Sequence, residues 1–593
     1  MESIVSSVAS KVAEYTFGII NRGIGYVIYV DSNVQDLKEQ VGKLEDARGR
    51  VQHSVDRAIR NAEKIEADVL KWLANVDKKL TDNGGEKLKQ DEEKAKKKCF
   101  IGLESSEIKW IINFMSNGLA PRKAFPVLET LHLEGQSNLE KICHGELIRT
   151  ESFSHLTTIT VHSCDRLKNL FPFSIARNLN QLQKISVSSC EKITEIVSWE
   201  RKDDNDKNGI LEFRSLSSLE LSFLQNFKSF YSQETTASSA NNTESIAIPL
   251  FNPKVSCPAL ESLNLVSVNG VEKIWHGDKL SAMSFGVQSL ISLTIWNCSN
   301  SFMVKSFVQL KTLEVSWCVE MESIIEGILG GEKDEEARIS SCISLFCKLD
   351  YLKLYHLPKL KMFCPGINIA IEFPSLRELE ILKCPLLKTF PCDSTNIDRK
   401  SNGNISLDQP QHLFNEKHVS CPALEKLHLD SMTGIEKIWK GDQLSVICFG
   451  VQSLTTLKVQ RCHKLKYVFT SSMIKSLVQL KELSIERCEN IQEITQGEDD
   501  DDDDEINFPR LNHLELNTLP KLESFCSSGN YSFGFPSLQI VTVEYCPKMK
   551  MFSQGNSNTP MLHKVRPSTR TNEGRWEGSL NSTIRQLFRE KRV

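Results

Sequence analysis

The sequence predicts an α/β fold: a solenoid built on one parallel β-sheet, preceded by an α-helical module. Three observations predict it. The six-residue pattern Leu-x-x-aliphatic-x-aliphatic recurs fourteen times, starting at Leu128, Leu156, Leu182, Leu216, Leu260, Leu290, Leu310, Leu349, Leu376, Leu424, Leu454, Leu480, Leu511 and Leu538. Its aliphatic positions never break the rule; where Leu is absent, Ile or Val stands, as at Ile159, Val161 and Val543. Eight residues after the first Leu, eight copies place a cysteine: Cys164, Cys190, Cys298, Cys318, Cys384, Cys462, Cys488 and Cys546. Upstream, apolar residues from Val34 to Val76 fall on heptad a and d positions within a densely charged sequence.

That pattern is the signature of an irregular leucine-rich repeat, about fourteen copies of it, each laying one short strand into the sheet. A single copy cannot bury its apolar side, so neighbours stack into a solenoid with a continuous core. The cysteines occupy the inward site that caps the bend from strand to loop. A larger duplication is superimposed. VSCPALESLNLVSVNGVEKIWHGDKL from Val255 and VSCPALEKLHLDSMTGIEKIWKGDQL from Val419 are near-copies, and FPVLETLHLEGQSNLEKICHGEL from Phe125 is a weaker third. The solenoid, residues 125–552, therefore reads as three super-repeats. Ser/Asn/Thr-rich inserts at 231–248 and 393–412 predict projecting loops, and the short interval from Leu290 to Leu310 predicts a local kink.

At the N-terminus, Ile4, Val8, Val12, Tyr15 and Ile19 share one helical face. Residues 1–80 form the helical coiled-coil domain; its seam runs from Val34 and Leu37 to Trp72 and Val76, with Arg48-Gly49 interrupting it. Two readings fit: a hairpin bundle turning at Arg48-Gly49, or a continuous dimeric coiled coil. Residues 81–124 comprise a charged linker (81–98) and an apolar island, Ile108 to Phe114, expected to cover the open end of the solenoid. From Ser553 the periodicity stops, which predicts a disordered tail (553–593) with room for a short helix in IRQLFREKRV.

Composition narrows the function classes. With 593 residues, a formal net charge of −4 and a pI near 6.4, the chain offers no whole-chain electrostatic case for nucleic acid. Of 18 cysteines, eight are accounted for by the repeats and none makes a paired CxxC set with zinc spacing. Reduced structural thiols imply the cytosol or nucleus, and a cytoplasmic location is the expectation. Met1-Glu2 lacks the glycine that myristoylation needs, and the apolar run Phe17 to Val30 is broken by Arg22, Gly23 and Gly25. No integral membrane segment is expected; the amphipathic stretch 4–30 leaves peripheral membrane association open. Sequons such as Asn404-Ile405-Ser406 read as chance matches.

The run NVQDLKEQVGKLEDARGRVQHSVDRAIRNAEKIEADVLKWLANVDKKL, especially VQHSVDRA and VLKWLANVDK, resembles the coiled-coil domain of plant nucleotide-binding leucine-rich-repeat disease resistance proteins. The Cys-x-x-Leu-Lys runs (CDRLKNLF, CHKLKYVF) and the PALEKLHL openings resemble that family's repeat region. The resemblance implies a coiled coil that engages partners and repeats that recognise pathogen effectors. The family also carries a GxxxxGK[ST] phosphate loop between these parts, and no such motif occurs here. The nucleotide switch therefore does not carry over, and the chain resembles a truncated member for which no cofactor is expected.

Candidate chemistry is sparse. Three acidic runs, Asp203 to Asp206, Glu332 to Glu336 and Glu498 to Glu505, follow equivalent strands, lack the alternating ligands and glycine of a calcium loop, and read as solvated loops. No HExxH, GxSxG or carboxylate pair supports an enzyme, and no metal site is expected. The concave face is more informative. Trp296, Trp317 and Tyr355 stand at the two variable positions before the cysteine site, with Tyr351 on the same strand as Tyr355 and Arg377 in the next repeat. Aromatics and Arg are favoured at protein hot spots; the alternative is ring packing against neighbours. The expected function is non-enzymatic protein recognition in plant defence. Its partners would be a pathogen effector, a guarded host protein or an intact immune receptor, with self-association through residues 34–80. A generic scaffold or adaptor, or a non-functional receptor fragment, is the alternative.

Overall fold

The computed structural model describes residues 30–61, 65, 67–82, 98–101, 110–113, 125, 127–144, 152–199, 210–231, 249–271, 273–275, 289–298, 308–325, 346–364, 371–390, 412–414, 419–439, 451–497, 505–527, 531–570 and 572–590. The amphipathic stretch 4–19, the acidic runs apart from Glu505 and most of the two inserts lie outside them. Two compact units are present: Met1–Ser238 with Lys254–Cys257, and Ser239–Pro253 with Pro258–Val593.

Each of the fourteen patterns is a strand. Taking the first Leu as position 1, the strand covers positions 3 to 7. In the first unit, Lys98–Ile101, Thr130–Glu134, Thr158–His162, Lys184–Ser188 and Ser218–Ser222 pair in parallel and in sequence order. In the second, eleven strands from Ser262–Val266 to Val565–Arg566 do the same. Register is unbroken between Ser292–Trp296 and Thr312–Ser316, so the shortened interval leaves no break in the ladder where a kink was expected. This is a leucine-rich-repeat solenoid.

Alternation follows from the two-residue period of a strand. Positions 4 and 6, such as Leu457 and Val459, are 1% exposed or less, while positions 3 and 5 stay half-exposed or exposed in most repeats. A second layer of short strands closes the core behind them, for example Phe469–Thr470, Glu493–Gln496 and Ser524–Cys526. Phenylalanines three residues before the first Leu stack from repeat to repeat. Phe346 and Phe373 have ring centroids 5.7 Å apart, and Phe508 and Phe535 5.2 Å. CDRLKNLF and CHKLKYVF lead into matching short helices, Phe173–Ala176 and Ser471–Ile474.

The exit from each strand is the same device fourteen times. Position 8 is left-handed in every copy: Gly135 in the first, and thirteen non-glycine residues from Ser163 (φ 52°) to Tyr545 (φ 53°). In twelve of the fourteen copies its N–H donates to the last strand carbonyl of the next repeat, as from Arg461 to Glu486 (2.9 Å) and from Trp317 to Tyr355 (2.8 Å). The cysteine then turns inward. Each of the eight thiols donates to the carbonyl two residues back, at 3.3 to 3.5 Å. Gln136 makes the same bond with its amide (3.0 Å) in the first repeat. All eight cysteines are free and buried, as the repeat pattern requires.

Three sequence expectations are corrected. Gly49 is no turn: α1 (Val30–Arg60) runs through it, and the chain breaks after Asn61 before α2 (Ala67–Asp82). The helices form an antiparallel hairpin in which Arg48 meets Asp77 (2.5 Å) and Val55, Leu73 and Val76 are buried. The break also excludes a continuous helix over 34–80. The solenoid starts earlier than Phe125. Lys98–Ile101 pairs with Thr130–Glu134, and Trp110–Asn113 from the apolar island pairs with Lys141–His144.

The tail is folded, where a disordered one was expected. Val565–Arg566 extends the sheet, and a helix, Leu580–Arg589, buries Leu580, Thr583, Ile584 and Leu587. Polar side chains close the end. The Asn581 amide accepts from the N–H groups of Phe552 and Ser553 and donates to the Ser553 carbonyl, and Glu544 accepts from Ser568 and Thr569. A polar composition hid this because hydrogen-bond capping of a sheet end needs little apolar residue.

Two outcomes follow. Gly49→Ala should stabilise α1 by about 1 kcal/mol, because nothing lies within 4 Å of the added Cβ and the position is helical; thermal melting of the helical signal reads it, and a turn at Gly49 would give a loss. Burial raises the thiols of Cys298, Cys384, Cys488 and Cys546 to about 12 and Cys318 to about 11, from an ordinary 9.0. The stability they contribute is whole below about pH 9, where the unfolded thiols begin to ionise, and is lost as pH rises toward 12. Denaturant midpoints measured between pH 8 and 11 should fall, and native thiols should resist a disulfide reagent at pH 8.

Candidate recognition surface

Register brings most of the predicted residues onto one face of the second unit. Trp296, Ser316 and Tyr355 are successive partners at position 7, and Trp317 follows Ser316 at the left-handed position 8. The Trp317 ring packs edge-on against Tyr355 at 5.7 Å and tilts over His356 at 4.1 Å. Tyr355 is in turn flanked by cations. Lys383 Nζ lies 5.2 Å and Lys353 Nζ 5.9 Å from its ring centroid, and Lys383 also donates to the phenol oxygen (3.3 Å). Trp317 remains 37% exposed, so the cluster presents an aromatic surface to solvent.

Tyr351, at position 3 of the same strand, donates its hydroxyl to Glu380 (3.3 Å). Burial, with Glu380 and Glu314 beside it, pushes its phenol well above the usual range and keeps it a donor at physiological pH. Lys353 is held by Glu314 (3.1 Å) on the neighbouring strand. Arg377 does not join the group: it stands before its strand, exposed, between Asp350 (3.5 Å) and Glu425 (3.9 Å). Trp296 shares the row but has no ring contact with Trp317 or Tyr355.

His356, Lys383, Lys353, Glu314 and Glu380 were missed by inspection of single repeats. They become visible once the repeats are written in register, because positions 5, 7 and 8 of adjacent copies are spatial neighbours about 4.8 Å apart across a sheet. Farther along the same face, Asp430 is nearly buried (5% exposed) and is ion-paired to Arg461 and hydrogen-bonded by Ser431 (2.9 Å). Among the described residues, no group of three or more His, Cys, Asp or Glu is placed to hold a metal ion. No described helix is long and apolar enough to cross a membrane.

Comparison with known families matches residues 113–191, 259–396, 404–489 and 480–554 to the family described as plant disease resistance protein RPS2-like, leucine-rich repeats. These segments cover more than half of the chain. The chain belongs to that family. The aromatic cluster thus lies within a plant disease-resistance repeat region, between residues 259 and 396. Among solved structures, the functional domain of InlJ from Listeria monocytogenes, which includes a cysteine ladder, is 14% identical over 69% of this chain and 70% of that one, with a TM-score of 0.24. That score is too low to equate the two architectures.

Trp317→Ala should cost about 1 kcal/mol of stability, the worth of an edge-to-face contact at a part-exposed ring. A loss of several kcal/mol in chemical denaturation would make Trp317 a core residue instead of a surface one.

Proposed function

We propose that this member of the resistance family is a protein-recognition module in plant defence. Its face around Trp317 and Tyr355 binds a pathogen effector, a guarded host protein or an intact immune receptor, and its helical hairpin associates with a second protein. The observation that carries the reading is the cluster itself: a part-exposed Trp packed edge-on against a Tyr that two lysines flank, on a face lined by registered polar residues. Such rings are rigid and amphipathic, and one buried by a partner can account for 2 kcal/mol or more of binding, on the order of thirtyfold in affinity. Tyr351, Trp296 and Arg377 would form the rim.

A nucleotide switch forms no part of the proposal. α2 ends at Asp82 and the sheet begins at Lys98, so the hairpin and the repeats are joined by a segment far shorter than a nucleotide-binding domain. A chain of this kind can act as an accessory or decoy that pairs with a complete receptor through α1 and α2.

The test is affinity capture from plant cells with the full chain, Trp317→Ala/Tyr355→Ala, and Leu73→Glu/Val76→Glu. The first variant should lose proteins held by the repeats while keeping those held by the hairpin, and the second the reverse. Identical captured sets for all three, from folded protein, would remove the reading.

A further inference from the structure

The C-x-x-L-K runs account for the inward cysteine and the buried Leu, but leave their lysines without a role. In register, those lysines occupy the edge where strands exit to the loops, at positions 11 and 13, next to the left-handed position 8. In the second unit this edge carries Lys388, Lys464, Lys466, Arg487, Lys548 and Lys550, all exposed. Among the described residues, none of the six has a carboxylate within ion-pair distance. Their neighbours show what pairing looks like here: Lys359 and Lys361 are held by Glu320 (2.5 Å) and Glu322 (2.9 Å), and Arg461 by Asp430. Six unneutralised cations stand on one edge of a chain whose net charge is −4. The edge is also stiff. Pro385 and Pro547 directly follow Cys384 and Cys546, each cysteine is anchored by its thiol, and the Lys383 N–H before Cys384 donates to the Asp430 carbonyl.

We propose that this edge, from Lys388 to Lys550, is a docking surface for an acidic segment of a protein partner. Charge complementarity commits it to an anion, and the arrangement of the charges favours a polypeptide. The cations come as Lys-x-Lys pairs at 464/466 and 548/550, and the loops around them carry Glu436, Glu489 and Glu523. A nucleic acid bears a phosphate at every step and would meet those carboxylates. A polypeptide can set acidic residues against the lysine pairs and neutral ones against the glutamates. Apart from Lys388, the edge lies in later repeats than the Trp317–Tyr355 cluster, so the proposal extends beyond the function given above and does not depend on it.

The experiment measures fluorescence anisotropy of a labelled synthetic peptide of alternating Glu and Ser, titrated with the full chain at low and physiological salt. Saturable binding that weakens with salt is expected. Lys464→Glu/Lys466→Glu/Arg487→Glu should weaken it about tenfold or more, while Lys481→Glu, on the strand-entry edge, leaves it unchanged. Lys548→Glu/Lys550→Glu provides an independent loss of several-fold should the triple variant fold poorly. Absence of saturable binding would overturn the proposal. So would an equal loss with Lys481→Glu, which would reduce the effect to net charge. Equal or tighter binding of a DNA duplex, or of vesicles containing phosphatidylserine, would overturn it in favour of those ligands.

Discussion

The structure depends on how a parallel strand is allowed to end. A parallel ladder presents its carbonyls and N–H groups to the next repeat, and each chain must leave the face within two residues without orphaning them. Here a left-handed residue does both tasks. It reverses the chain, and its N–H adds one further bond to the neighbouring strand. The cysteine thiol then satisfies a carbonyl at the strand end while filling the inward space. A non-glycine residue in this conformation costs on the order of 1–2 kcal/mol. Its recurrence at thirteen of the fourteen exits shows that ladder bonds and core burial outweigh that strain.

The fold was legible because the repeat states its own period. Each Leu-x-x-aliphatic-x-aliphatic became a strand at the expected offset, and each cysteine turned inward. The left-handed position was not legible, since its occupants include Ser, Lys, Arg, Thr, Trp and Tyr and share no side-chain chemistry. The turn of the hairpin was misplaced for a related reason. Gly49 looked like punctuation, but a helix tolerates a solvent-facing glycine for about 1 kcal/mol, and the break fell beyond Arg60. Polar tails are the hardest case: Asn581 and Glu544 close the sheet end by hydrogen bonds that no periodicity announces.

The candidate surface was half legible. Trp317 and Tyr355 could be found by position within a repeat, and they do meet. Arg377 is close in sequence, in the next repeat, yet its place before the strand sets it among Asp350 and Glu425 instead. Lys353, Lys383 and Glu380 required the third dimension, because what matters about them is the neighbouring repeat. The same holds for the cationic edge, which is invisible in a net charge of −4 and emerges only when exit loops are aligned.

The turn residue has a consequence for how such a protein can diversify. Because its conformation is held by the backbone, through the N–H bond to the next strand in twelve of the fourteen copies, its side chain need not enter the core. Ser, Lys, Arg, Trp and Tyr all serve, and glycine stands there only once. One position per repeat is therefore a writable character in an otherwise invariant text. A lineage can rewrite that column, in charge or in aromaticity, and obtain a new surface from an unchanged scaffold.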